Sequence, residues 1–132
     1  MKVTDWSKYS PYFTKEEFAC KHTGKNEMQV EFMDRLLAVR LEYDKGMRVT
    51  SGYRDPSHPI EAKKTRPGSH PQGRAGDFAV DSGNAYRLLA IALKHGFTGI
   101  GFQQKGSGRF LHLDDIPENT EGFLRPTIWS YA

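Results

Sequence analysis

The chain has 132 residues, 37% of them hydrophobic, and a formal charge of +3 from 19 lysines and arginines against 16 acidic residues. That length predicts one domain around a single core, and no run approaches the roughly 20 apolar residues of a membrane-spanning helix. The single cysteine, Cys20, excludes an internal disulfide, and the mild basicity suits approach to an anionic surface.

The first residues, Met1-Lys2-Val3-Thr4-Asp5-Trp6, hold no apolar stretch of signal-peptide type, so synthesis in the cytoplasm is expected. Thr14-Lys15-Glu16-Glu17 has the pattern of a capping box and predicts a short helix after Thr14. Cys20, behind Phe18-Ala19, reads as a small buried hydrophobe. Residues 27–43 place Met28, Phe32, Leu36, Val39 and Tyr43 at three- and four-residue steps, with Glu27, Glu31, Asp34 and Arg35 opposite. This spacing predicts an amphipathic helix, ended by Lys45-Gly46. Met47–Thr50 predicts a strand that delivers Ser51-Gly52-Tyr53-Arg54.

From Asp55 to about Arg74 the chain is irregular, with Pro56, Pro59, Pro67 and Pro71, and a loop of that length in a small domain is usually functional. Its basic cluster, Lys63-Lys64-Thr65-Arg66, reads as a solvated loop rather than a nucleic-acid patch. Asp77–Val80 predicts a second strand. Ser82 is a candidate cap for a helix over about Asn84–His95, stopped by Gly96. Gly99–Phe102 predicts a third strand, and a turn through Gly106 and Gly108 joins it to a fourth over Arg109–Asp114. The tail from Pro117 is rich in turn residues, and Trp129 and Tyr131 are expected to pack back on the body. The expectation is an α+β fold, a small antiparallel sheet with flanking helices.

Two segments offer metal-ligand chemistry: Ser69-His70 with Asp77 seven residues on, and Phe110-Leu111-His112-Leu113-Asp114. Strand alternation puts Phe110, His112 and Asp114 on one face and Leu111 and Leu113 on the other. Two imidazoles and a carboxylate are the ligand set of a hydrolytic zinc ion that keeps one open position. Spacing alone leaves a second reading open, in which His70 is an exposed loop histidine, Asp77 a turn residue and His112 a satisfied strand residue. His58, in the loop, reads as lining a cleft or as exposed. His22 and His95 read as structural or exposed, His95 at a helix end where a cation suits the dipole.

Taken in order, Ser51-Gly52-Tyr53-Arg54, Ser69-His70-Pro71-Gln72-Gly73-Arg74-Ala75-Gly76-Asp77, Gly99-Ile100-Gly101 and Phe110-Leu111-His112-Leu113-Asp114 resemble the M15 family of zinc peptidases. These are the D-alanyl-D-alanine carboxypeptidases and related murein endopeptidases, which share a fold with the hedgehog signalling domain. Phe13–Cys20 also resembles the start of the phage-borne branch. The motif-bearing core covers about residues 12–115 of a single domain over 1–132, with a tail over 116–132.

The resemblance implies one zinc ion on His70, Asp77 and His112, and hydrolysis of amide bonds in peptidoglycan stem peptides or cross-links. It implies that Arg54 stabilises an oxyanion or holds a substrate carboxylate, and that Ser69 helps hold substrate. No nucleic-acid or membrane partner is expected, and a monomer is. The lack of a signal peptide suits a phage or prophage product that reaches the wall after lysis or within a virion. One departure is that many members carry an acidic general base three residues before the last zinc histidine, where this chain has Arg109. Asp114 is the nearest acid and is nominated as the catalytic acid-base group, or else as a group that orients His112. Asp81 and Glu61 are weaker candidates. Without an acid near the metal, the alternative is a non-catalytic zinc-containing wall- or protein-binding module of the same fold. A second departure is that relatives often pair a further cysteine with the one at position 20.

Overall fold

The computed structural model describes residues 1–66 and 68–131, so that Pro67 lies outside the described residues. Two 3₁₀ turns, Trp6–Tyr9 and Glu16–Phe18, precede helix α1 (Val30–Tyr43) and strand β1 (Arg48–Ser51). Helix α2 (Pro59–Ala62), a 3₁₀ turn His70–Gln72 and strand β2 (Ala75–Ala79) follow. The chain then forms helix α3 (Ser82–Lys94) and strands β3 (Gly99–Gln103), β4 (Phe110–Asp114) and β5 (Thr127–Ser130).

The predicted capping box is present. Thr14 N donates to Glu17 Oε1 at 2.8 Å, and Glu17 N donates back to Thr14 Oγ1 at 3.3 Å. It initiates one 3₁₀ turn rather than a longer helix, because the backbone is already extended at Ala19. In α1 the predicted stripe Phe32, Leu36, Val39 and Tyr43 is buried with Met33. Met28 is also fully buried but precedes the helix, whose N-cap Gln29 is extended. The helix starts three residues later than the spacing predicts and ends at the predicted Tyr43. Asp44 takes the left-handed conformation (φ 55°) and returns its N–H to the Arg40 carbonyl. Arg35 is not on a free solvent face: it donates to the His95 carbonyl at 2.6 Å and to Asp115 Oδ2 at 3.3 Å.

The sheet has five strands in the order β1-β2-β4-β3-β5. The first three pairings are antiparallel, and β5 runs parallel to β3. The sheet is therefore mixed, and its fifth strand comes from the tail that the sequence reading left without regular structure. Period-2 alternation sends Phe78, Ile100, Leu111 and Leu113 into the core with Phe32, Leu36 and Val39 of α1 and Leu88 and Ala92 of α3. Each large apolar side chain buried there contributes about 1.5–3 kcal/mol. The opposite face is left for polar chemistry. Across it, Ser51, Asp77, His112, Gly101 and Trp129 stand in one row of register partners from β1 to β5.

The described residues between 55 and 74 are held by local bonds. Pro59 opens α2, and His58 Nδ1 accepts from Ile60 N at 3.1 Å. Glu61, buried in α2, accepts from Gly68 N at 2.9 Å and from Lys64 Nζ at 3.0 Å. At α3 the N-cap is Asp81, and Ser82, expected there, is the first helical residue. Among the described residues no helix is long and apolar enough to cross a membrane.

Candidate metal centre and cleft

His70, Asp77 and His112 come together on the polar face of the sheet, all three buried. One donor atom from each lies within 4.8 Å of the others. Asp77 Oδ1 is the common point, 2.9 Å from His112 Nδ1 and 3.4 Å from His70 Nε2. Three separate elements supply them. His70 opens the 3₁₀ turn before β2, Asp77 is central in β2, and His112 is its register partner in β4.

The far nitrogen of each imidazole is also fixed. His70 Nδ1 lies 2.7 Å from the carbonyl of Gly52, in the turn that follows β1. His112 Nε2 lies 2.7 Å from Asp114 Oδ2. Such outer contacts fix the tautomer that a ligating ring would take, in which the nitrogen facing Asp77 would give its lone pair to a metal. Burial pushes the Asp77 carboxyl up, but the His112 and His70 rings outweigh it and hold the group well below the usual carboxylate range. Burial pushes His112 down, yet Asp114 and Asp77 flank its two nitrogens and raise it overall. The same negative field that retains a proton there favours a cation.

Asp114 does not face the cleft. It is fully buried beneath His112, and Arg125 grips both its oxygens, Nε to Oδ1 at 2.8 Å and Nη2 to Oδ2 at 2.7 Å. Burial raises its carboxyl, but His112 and Arg125 bring it below the ordinary value. Its oxygens are committed to these partners, and it is outside the described lining of the cleft. Its contact to His112 Nε2 is the geometry of a group that orients that ring. Glu61 is likewise engaged, adding a contact to Arg54 Nη1 at 3.3 Å. Asp81 is exposed at the start of α3, and Arg109 donates to the Gly106 carbonyl in the β3–β4 turn.

The three donors open into a cleft of about 660 Å³. Arg54, Lys64 and Arg66 line it with Ser69, while Phe110, Phe123, Arg125, Trp129 and Tyr131 form the other wall. Arg54 Nη2 lies 3.7 Å from Asp77 Oδ2, and Ser69 Oγ lies 3.3 Å from His112 Nε2. Two residues of the basic cluster thus reach the cleft rather than only solvent. Among the described residues Asp77 is the one acid in the lining. His58 is outside the lining, its ring beside His22 at 6.0 Å between centroids. His95 Nε2 contacts Glu42 at 2.9 Å, and Cys20 is buried, its sulfur accepting from Asp55 N.

Trp129 and Tyr131 pack back on the body as expected, against His112 and Phe110, but sequence reasoning missed that residues 123–131 wall the cleft, Arg125 above all. The signal was modest: Thr127-Ile128-Trp129-Ser130 has strand-forming residues, but it sits among Pro, Gly and charged positions.

No curated protein matches this chain. The family profile described as Peptidase M15 matches residues 11–114, which include every one of the three converging donors and the strands that carry them. With the match spanning most of its length, this chain belongs to the M15 peptidase family.

Proposed function

We propose that this protein is a zinc-dependent peptidase that hydrolyses amide bonds in the stem peptides or cross-links of bacterial peptidoglycan. The observation that carries this reading is the meeting of two imidazoles and one carboxylate within 4.8 Å, in a cleft rimmed by cations. His70, Asp77 and His112 would hold one zinc ion. The donor set fits: nitrogen and carboxylate oxygen are zinc's preferred partners in hydrolytic sites, and each imidazole is braced at its opposite nitrogen.

A bound zinc ion supplies Lewis acidity, lowering the pKa of water and polarising a carbonyl. The rest is the work of this chain's own groups. Arg54 lines the cleft beside Asp77, where its planar fork can donate to a carbonyl oxygen gaining charge or grip a substrate carboxylate. Ser69 offers a hydroxyl at the same edge. Lys64 and Arg66 extend the positive field, which draws in a peptide that carries carboxylates. Asp114 holds the His112 ring from behind. Every group named belongs to one chain, so a monomer suffices. The likeness of Phe13–Cys20 to the phage-borne branch supports a phage or prophage setting.

The test is metal analysis of the purified chain, then digestion of muropeptides followed by mass spectrometry. One zinc per chain and defined cleavage products are expected. His70→Ala and Asp77→Ala should each lose zinc and at least about 100-fold in cleavage rate, the upper end of what loss of a partner behind a ligand costs. A second reading, a zinc-containing module that binds wall peptide without cutting it, is favoured by the absence of a free acid in the described lining. Zinc uptake and peptide binding with intact muropeptides would establish that reading over the first.

A further inference from the structure

The tail beyond the family match, residues 115–131, does more than cover the sheet. Arg125 reaches back from it to close a chain of contacts that ends at the proposed ligand His112. Its Nε and Nη2 grip Asp114 side-on, and its remaining nitrogen, Nη1, donates to the Leu124 carbonyl at 2.8 Å. Its guanidinium lies 5.3 Å from the Trp129 ring centroid, and that ring lies 5.1 Å from the His112 imidazole. Among the described residues Asp114 receives further support only from Ile116 N, at 3.4 Å. Without Arg125, the buried Asp114 carboxylate would keep one strong partner, His112, and could turn about its side-chain bonds.

We propose that Arg125 is a positioning residue of the metal centre, acting through Asp114 to fix the orientation and tautomer of His112. This rests on the reading of His70, Asp77 and His112 as zinc ligands. A bidentate arginine fork fixes a carboxylate in plane as well as in distance, which a lysine ammonium does not. Partners behind a ligating histidine change metal affinity by about 10–100-fold when removed.

The experiment is a chelator-competition measurement of zinc dissociation constants for the wild type, Asp114→Asn, Arg125→Gln and the double variant, with circular dichroism to verify folding. Arg125→Gln is expected to raise the dissociation constant about tenfold. The double variant is expected to be no weaker than Asp114→Asn alone, because the arginine acts through the aspartate. Should Arg125→Gln not fold, Arg125→Lys takes its place in the cycle, with a smaller rise and the same non-additivity. A folded Arg125 variant with unchanged zinc affinity would overturn the proposal, leaving the arginine a brace for the tail. So would losses that multiply in the double variant, which make it act independently of Asp114. A wild type that takes up no zinc would instead sink the reading of the ligand set, and the role of Arg125 with it.

Discussion

His112 is boxed in on every side, and each neighbour has a separable purpose. Asp77 faces Nδ1, Asp114 faces Nε2, and Trp129 covers the ring. The tryptophan can lie there because its register partner is Gly101. A Cβ at that position would stand 2.7 Å from Trp129 Cε2 and Nε1 and 2.8 Å from Tyr131 Cε2. Gly99, two residues earlier on the same face, leaves space that Asp114 fills, since a Cβ there would overlap its carboxylate. The G-x-G of β3 is thus the imprint of two side chains lying across that strand. Gly101→Ala should displace Trp129 and cost about 1–3 kcal/mol, as overpacking does. In a Trp6→Phe background Trp129 is the single tryptophan, so a shift in emission reports its displacement and urea denaturation the cost. An unchanged spectrum with unchanged stability would mean that the wall does not depend on that missing Cβ.

At the level of elements, the segments whose neighbours lie close in sequence were the legible ones. The three- and four-residue spacing locates α1, and alternation in Phe110–Asp114 assigns His112 and Asp114 to the polar face. The strand β5 was not legible because its partner is β3, which lies across the intervening hairpin, and because Ile128 points to an exposed surface rather than a core. Convergence of His70 with His112 was not derivable from spacing either, and entered through resemblance alone. Helix α2 was hidden in a proline-rich stretch, and Glu61 ties it to Arg54, Lys64 and Gly68. Burial pushes that carboxyl up, but the Gly68 amide, Lys64 and Arg54 together hold it below its ordinary 4.5. Because its folded-state value is depressed, the stability it contributes is present above pH 4.5 and is lost as pH falls through the folded value. Glu61→Gln should therefore be less stable than the wild type by about 1.5–3 kcal/mol at neutral pH, the scale of hydrogen bonds to a charged group. The gap should close in acid, as urea midpoints across a pH series would reveal. A gap independent of pH would assign Glu61 a packing role instead.

Over the whole molecule, scaffold and site part company at two adjacent aspartates. Asp114 belongs to the cleft side, with His112 and Arg125. Asp115 turns to the other side, where Arg35 of α1 approaches to 3.3 Å and Arg74, ahead of β2, to 3.1 Å. Arg35 also holds the His95 carbonyl at the end of α3, so Asp115 anchors a knot joining both long helices to the ends of two strands. Burial pushes the Asp115 carboxyl up, and the two arginines only partly offset this. Removing one partner of a buried pair costs about 3–5 kcal/mol, and because Arg35 and Arg74 are partly exposed the loss in Asp115→Ala should be nearer about 2–3 kcal/mol. The folded fraction should nonetheless bind zinc as tightly as the wild type, since among the described residues none of the contacts around His70, Asp77 and His112 passes through Asp115. Asp114→Asn should show the converse pattern, with weakened zinc binding as its main effect. Thermal denaturation without metal, set beside chelator competition at a temperature where both variants are folded, separates the two. If Asp115→Ala lowered zinc affinity as much as Asp114→Asn, the helical knot and the metal centre would be one cooperative unit, and the division drawn between them would fail.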